Sequence, residues 1–331
     1  MKKRILTWIK PTSDQYHIGN YFGAVKPFFD LLVKYPDAEA FLMTANMHAL
    51  TTLHDGERLR SNTISCVKSY VAMAQCYLWT DADRILIYNP AMISGHAQLE
   101  WVLGCVTHMW FMQRMHAYKD AAAKGNADAL SVGTFCYPIL QAADVVLYSA
   151  THVPVGRDQA QHIEYTRDIA QKFNGMFGDI LQIPELLVRE DVAVVPGIDG
   201  RKMSKSYDNF LWLLDTPEVL KKKVKLIVTD ALPIEASKNP DTCNVYNILK
   251  LFLTPEEDIA VRKRYTDWGL GYGVIKEELY QKVVEFVTPI QERFAQLDDS
   301  MIEQMLITNG QKANEMASKK IEQVYKAVGL L

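Results

Sequence analysis

Residues 5–20 read Ile5-Leu6-Thr7-Trp8-Ile9-Lys10-Pro11-Thr12-Ser13-Asp14-Gln15-Tyr16-His17-Ile18-Gly19-Asn20, and this stretch decides the fold. Ile5 to Ile9 is a short apolar run that reads as a buried strand. Pro11-Thr12-Ser13-Asp14 supplies the turn formers that end it. A helix is expected from Gly19 to about Val33. The rest of the N-terminal half repeats the alternation: Phe41-Leu42-Met43-Thr44 and Ile85-Leu86-Ile87-Tyr88 read as further strands, with a helix near 56–76 between them. Strands separated by helices of this length pair in parallel through right-handed crossovers. Residues 94–117 and 135–147 read as helices, and Val153-Pro154-Val155 as a short strand. A helix over about 158–173 would bury Ile163, Thr166, Ala170 and Phe173 along one face.

Beyond Asn209 the texture changes to Glu/Lys/Gln-rich amphipathic patterns over 217–227, 244–252, 255–264, 274–295 and 311–328, which predict a helical second domain starting near Thr216. Length agrees, since 331 residues fit two domains of about 150 and bury enough surface to need no disulfide or metal staple. With 49% hydrophobic and 23% charged residues the chain has the mix of an ordinary globular protein. Thirty-six Lys+Arg stand against 39 Asp+Glu, so any nucleic-acid contact must come from local basic faces. Lys221, Lys222, Lys223 and Lys225 form one such run, Arg262, Lys263 and Arg264 another, and Lys319, Lys320 and Lys326 a third; a solvated helix face is the default for each. The cysteines at 66, 76, 105, 136 and 243 are odd in number and form no Cys-x-x-Cys pair, so no metal site and no disulfide framework is indicated. No apolar run reaches the length of a membrane span. The basic start Met1-Lys2-Lys3-Arg4 leads into no apolar core either, since Lys10, Asp14, Gln15 and Asn20 interrupt the next residues. A cytoplasmic location is the expectation.

Two segments carry chemistry. His17-Ile18-Gly19-Asn20 sits where a strand hands over to a helix, and a helix start offers unpaired N–H groups and a partial positive charge to phosphate. Gly19 lets a flat ring or a phosphate approach the backbone. Lys202-Met203-Ser204-Lys205-Ser206 packs two cations and two hydroxyls into five residues of loop, a clamp suited to the charge that grows on a departing pyrophosphate. Taken singly, each has a bland counterpart, a helix cap and a solvated basic turn. Together, in this order and spacing, they resemble the two signatures of class I aminoacyl-tRNA synthetases.

More specifically, the chain resembles the tryptophanyl-tRNA synthetase family over nearly its whole length. The matching stretches include Gly19-Asn20-Tyr21-Phe22-Gly23-Ala24, His96-Ala97-Gln98, Tyr137-Pro138-Ile139-Leu140, Ala142-Ala143-Asp144, Val153-Pro154-Val155-Gly156, Asp158-Gln159 and Gly269-Leu270-Gly271-Tyr272-Gly273. The resemblance implies an α/β, Rossmann-like parallel-sheet nucleotide-binding domain over 1–213 and a C-terminal α-helical, anticodon-binding domain over 214–331. It implies activation of L-tryptophan by ATP, helped by Mg²⁺, and transfer to tRNA(Trp), on a homodimer. His17, Asn20, Lys202 and Lys205 would be the catalytic groups. Lys10, Gly19, Gly156, Asp158, Met203, Ser204 and Ser206 would hold ATP, and Leu6, Tyr137, Gln141, Asp144, Val153, Val155 and Gln159 would hold tryptophan. Asp144 matches the family's indole-reading carboxylate: a buried acceptor discriminates well because a substrate lacking the N–H leaves it unpaired.

Three positions depart from the family's pattern. Trp8 stands where a glycine is usual, Lys10 replaces a residue that is often Gln, and Gln141 stands where many relatives have Met. Gln141 is expected to hydrogen-bond Asp144 or the substrate. His48 reads equally as a core histidine near the adenylate site or as a ligand-facing one, and His96 and His162 read as structural. The methionines around Met109-Trp110-Phe111-Met112 suit core or dimer packing. Two alternatives stay open: a tyrosyl-tRNA synthetase, whose pocket also uses an Asp, and a non-catalytic, synthetase-derived RNA-binding protein.

Overall fold

In the computed structural model, which describes residues 2–123, 130–188 and 195–331, five strands form one parallel sheet. They are β1 (Arg4–Ile9), β2 (Glu39–Thr44), β3 (Ile85–Tyr88), β4 (His152–Val155) and β5 (Glu185–Val188), in the order β3-β2-β1-β4-β5. β1 takes the centre because it is apolar enough to be covered on both faces, and Ile5 and Leu6 have no exposed surface. The chain winds one way from β1 to β2 and β3 and the other way through β4 and β5. Loops leaving the carboxyl ends of β1 and β4 therefore part, and the crevice between them is where such folds bind ligands. β5 is an addition to the expected strands: Glu185-Leu186-Leu187-Val188 offers only three apolar residues behind Pro184, too few to stand out.

After β1 come α1 (Ile18–Asn20), a π-type turn (Tyr21–Val25) and α2 (Lys26–Lys34), which together cover the helix expected over 19–33. α3 (Asn46–Ala49) and α4 (Gly56–Leu78) follow β2, with the Asp55 carboxylate accepting the Arg58 N–H as the α4 cap. The helix expected over 94–117 is in fact three: α5 (Gly95–Val106), α6 (Met109–Met112) and α7 (His116–Ala123). Thr107 makes the first break, its backbone extended and its hydroxyl donating back to the Leu103 carbonyl at 2.8 Å. α8 (Val132–Leu147) is buried at every residue from Pro138 onward. α9 (Arg157–Phe177) buries Ile163, Thr166, Ala170 and Phe173, as the periodicity predicts.

The remainder is helical: α10 (Pro217–Lys225), α11 (Asn244–Leu249), α12 (Pro255–Thr266), α13 (Tyr272–Gln296) and α14 (Asp299–Val328). α14 begins well before the expected 311 because Asp298 caps it, accepting the Ser300 N–H at 2.7 Å. Both long helices return to the N-terminal half, α13 against α4 and α14 against β3. Gln291 of α13 donates to the carbonyls of Leu213 and Asp215 at 2.8 and 3.0 Å, and Asn309 of α14 donates to Ile87 of β3 at 3.0 Å. Ala313, Ala317, Ile321 and Val324 of α14 share an apolar cluster with α5 and α8. No described helix is long and apolar enough to cross a membrane.

Candidate active site

The loop after β1 builds the first half of the site. His17 caps α1 reciprocally: its Nδ1 accepts the Asn20 N–H at 3.1 Å, while Asn20 Oδ1 accepts the His17 N–H at 3.1 Å. His17 is buried and stacks on Phe210, 6.0 Å between centroids. Burial, with the nearby Lys205 charge second, pulls its pKa down to about 4. His17 is thus neutral at working pH, and because Nδ1 accepts, its proton is on Nε2. It serves as a neutral N–H donor, not a cation.

That displacement fixes a pH dependence. An unfolded histidine titrates near 6.5, so between about pH 6.5 and 4 the unfolded chain binds the proton and the folded chain does not. Stability therefore rises with pH across this window and is lost as pH falls through it, by about 3 kcal/mol for this one group. Denaturant midpoints measured from pH 7 to 4 are expected to fall less steeply in His17→Gln than in the parent; parallel curves would refute this.

The second half comes from a hairpin over 195–203, closed by Met203 N–H to Val195 O at 2.8 Å and Gly197 N–H to Arg201 O at 2.7 Å. Gly200, at φ 83, makes the turn. Asn209, fully buried, locks the segment over 199–204: its Nδ2 donates to Asp199 Oδ1 at 2.6 Å and to the Lys202 carbonyl, and its Oδ1 accepts the Ser204 N–H at 2.8 Å. Gly197 must lack a side chain here, since a Cβ would collide with the Asn209 amide. The two halves are joined directly. Ile18 N–H donates to Leu211 O at 2.9 Å, Leu213 N–H to Tyr16 O at 3.0 Å, and Gly19 N–H to Met203 Sδ at 3.2 Å. Lys205 Nζ hydrogen-bonds Ser13 Oγ, and desolvation around the ammonium lowers its pKa.

One cavity of about 710 Å³ is lined by Lys10, His17, Gly19, Asn20, Gly156 and all five residues 202–206. A smaller one of about 250 Å³ is lined by Met43, His48, Thr134, Tyr137, Gln141 and His162. Trp8 and Lys10 line both, so the two spaces adjoin at the carboxyl end of β1. These two residues are successive outward positions on one strand face, with Lys10 just beyond the end of β1. Burial lowers the Lys10 pKa, and its Nζ lies 3.5 Å from Thr51 Oγ1.

Asp144 lies beneath the smaller cavity and is not part of its lining. Its Oδ2 meets His48 Nε2 at 2.9 Å and its Oδ1 meets His96 Nδ1 at 2.5 Å, with Tyr148 OH 3.1 Å from the far nitrogen of His96. Burial alone would raise this carboxyl; the hydrogen bonds from His48 and His96 outweigh it and hold the pKa below the ordinary value. Gln141 does not reach Asp144. Its Nε2 is buried with no partner among the described residues. Leu6 and Val153 are fully buried in the core, and neither they nor Val155 line either cavity. The side chains of Asp158 and Gln159 lie outside those described.

Several site residues had no sequence signal of their own. Ser13, Thr134 and Asn209 are ordinary loop or helix-start residues, and only the fold brings Ser13 to Lys205, Thr134 to the smaller cavity and Asn209 under the 199–204 segment. His48 and His162 do line the smaller cavity, with His162 Nε2 2.8 Å from Tyr137 OH. Among the described residues no cluster of His, Cys, Asp or Glu could hold a metal, and the larger cavity's lining carries no carboxylate.

Comparison with known proteins places this geometry. The family described as tRNA synthetases class I (W and Y) matches residues 2–288. The chain is 37% identical over 329 residues to the tryptophan–tRNA ligase of Campylobacter jejuni strain RM1221, covering 99% of this chain and 100% of that protein. It is 38% identical over 332 residues to the tryptophan–tRNA ligase of Fusobacterium nucleatum, covering 99% and 98%. The crystal structure of the tryptophanyl-tRNA synthetase from Campylobacter jejuni complexed with ADP and tryptophan superimposes with a TM-score of 0.85 at 36% identity, covering 98% of this chain and 99% of that one. The parallel sheet, the two cavities at its carboxyl edge and full-length similarity all agree: the chain belongs to the tryptophanyl-tRNA synthetases, within the W and Y branch of the class I tRNA synthetases.

Proposed function

We propose that the chain activates L-tryptophan with ATP and then esterifies tRNA(Trp). In the first step a tryptophan carboxylate oxygen bonds to the α-phosphorus as the bond to the bridging oxygen breaks, releasing pyrophosphate. In the second a ribose hydroxyl of the terminal adenosine attacks the acyl carbon and AMP leaves. The observation that carries this reading is the junction of the two cavities at Trp8 and Lys10. A carboxylate from the smaller space and a phosphate from the larger would meet beside the Lys10 ammonium, where both gain from one cation.

In this reading His17, Asn20, Lys202 and Lys205 grip the phosphates. Gly19, Gly156, Asp158, Met203, Ser204 and Ser206 complete the nucleotide site, while Tyr137, Gln141, Asp144 and Gln159 orient tryptophan; Leu6, Val153 and Val155, which line neither cavity, support the pocket from behind instead of forming its wall. The donors around the larger cavity are ammonium, hydroxyl and amide groups, which suit phosphate, and a Mg²⁺ would enter with the nucleotide and offset its charge. Residues 1–213 act as the catalytic domain and 214–331 as the anticodon-reading one, in the cytoplasm. The tryptophan ligases among the relatives favour tryptophan over tyrosine. ATP–pyrophosphate exchange tests the proposal: stimulation by tryptophan alone supports it, by tyrosine supports the first alternative, and by neither the second.

A homodimer is part of the reading. Trp101, Met109, Trp110 and Val132, on or near α5, α6 and α8, are 58–79% exposed, more large apolar surface than a free face of one subunit usually shows. Sedimentation is expected to give a dimer for the parent and a monomer for Trp101→Lys with Trp110→Lys; an unchanged dimer would place the interface elsewhere.

A further inference from the structure

Behind the turn that carries His17 and Asn20 lies a third cavity, of about 650 Å³, that shares no lining residue with the other two. Its walls come from both halves of the chain. The π-type turn contributes Tyr21 and Phe22, α4 contributes Cys76, and the helical half contributes Phe252 and Phe286. Phe22 and Phe286 are stacked at 5.7 Å and 30°, with Phe252 edge-on to Phe22 at 5.1 Å and 87°. Well-packed interiors leave few voids larger than a water molecule, and a few hundred Å³ with aromatic walls and few polar groups is the form of a small-molecule site.

Two further observations bear on the occupant. Lys26, Lys282 and Arg293 stand at the rim against one acid, Glu285. Lys26 is paired with Asp30 and Lys282 with Glu257, but Arg293 has no carboxylate partner among the described residues; its guanidinium reaches only Gln296 Oε1, at 3.5 Å. At the mouth is Trp79, 74% exposed and held at φ 52, a backbone region that a tryptophan rarely adopts. Such outliers persist where the surroundings impose them and cluster at ligand sites.

We infer that this cavity binds a small, flat aromatic molecule bearing one anionic group, its ring against Phe22, Phe252 and Phe286 and its anion on Arg293. Aromatic walls favour an edge or offset ring over an aliphatic chain. The guanidinium fork fits a carboxylate or sulfonate. The site is separate from the catalytic cavities and does not depend on the synthetase reading.

8-Anilinonaphthalene-1-sulfonate tests the inference on the whole chain. The dye is expected to bind saturably at one site per chain with enhanced fluorescence, and tryptophan with ATP should not displace it. Cys76 localises the site. Its thiol is half-buried and pushed up by that burial, so alkylation with iodoacetamide is followed by mass spectrometry at mildly alkaline pH. Saturating dye should slow Cys76 modification about 10-fold while exposed Cys105 reacts unchanged, and Arg293→Glu, an exposed substitution, should weaken dye binding about 10-fold. Displacement by tryptophan or ATP, an unprotected Cys76 in the dye-saturated chain, or undiminished affinity in Arg293→Glu would each overturn it.

Discussion

Lys205→Ala is expected to lower kcat for tryptophan-dependent pyrophosphate exchange by about 10²-fold, the loss typical of one donor to a developing anion, while the KM for tryptophan stays within about twofold. The ammonium is anchored on Ser13 Oγ, close enough to His17 to depress its pKa, and stands in the larger cavity away from the smaller one. Its charge matters most when negative charge moves onto the departing pyrophosphate, so the contact strengthens in the transition state and contributes little to amino-acid binding. The desolvation that lowers its pKa also strengthens its field. Steady-state kinetics check the split: an unchanged kcat would remove Lys205 from the catalytic groups, and an equal rise in tryptophan KM would make it a binding residue.

Asp144→Ala is expected to cost about 10²-fold or more in kcat/KM for tryptophan, by the argument that a polar readout rejects or loses its cognate donor steeply. Both carboxylate oxygens already accept from histidines, yet a carboxylate has about four acceptor positions and can take a third donor. Truncation also strands His48 Nε2 and His96 Nδ1, so some loss of stability accompanies the kinetic one. Selectivity separates the two effects. The preference for tryptophan over its analogue with sulfur in place of the ring N–H should collapse in the variant if Asp144 reads that proton. Retention of the preference, or near-normal kcat/KM, would reassign the residue to supporting His48 and His96.

Much of this site was legible because its signals are local. Strand, turn and cap lie within sixteen residues in Ile5 to Asn20, and the pattern His17-x-Gly19-Asn20 states its own geometry: His17 and Asn20 cap each other across three residues. The loop 202–206 announces a cationic clamp by composition. The features that were not legible depended on distance along the chain. β5 became a strand because β4 offered its edge, with Val153 paired to Leu186. Trp8 was ambiguous in sequence, since alternation along β1 says which residues share a face but not which cavity that face meets.

Residue order by itself determined the α/β class, the parallel pairing of the strands and the family, because periodicity, caps and short motifs are properties of neighbours. The tertiary structure alone decided that Lys205 reaches Ser13 across 192 positions, that Trp8 and Lys10 line two adjoining cavities, and that Asp144 is held by histidines 96 and 48 positions away. Those contacts follow from how the sheet order turns at β1 and where α14 returns to it, and desolvation in the resulting crevice lowers the pKa of His17, Lys10 and Lys205.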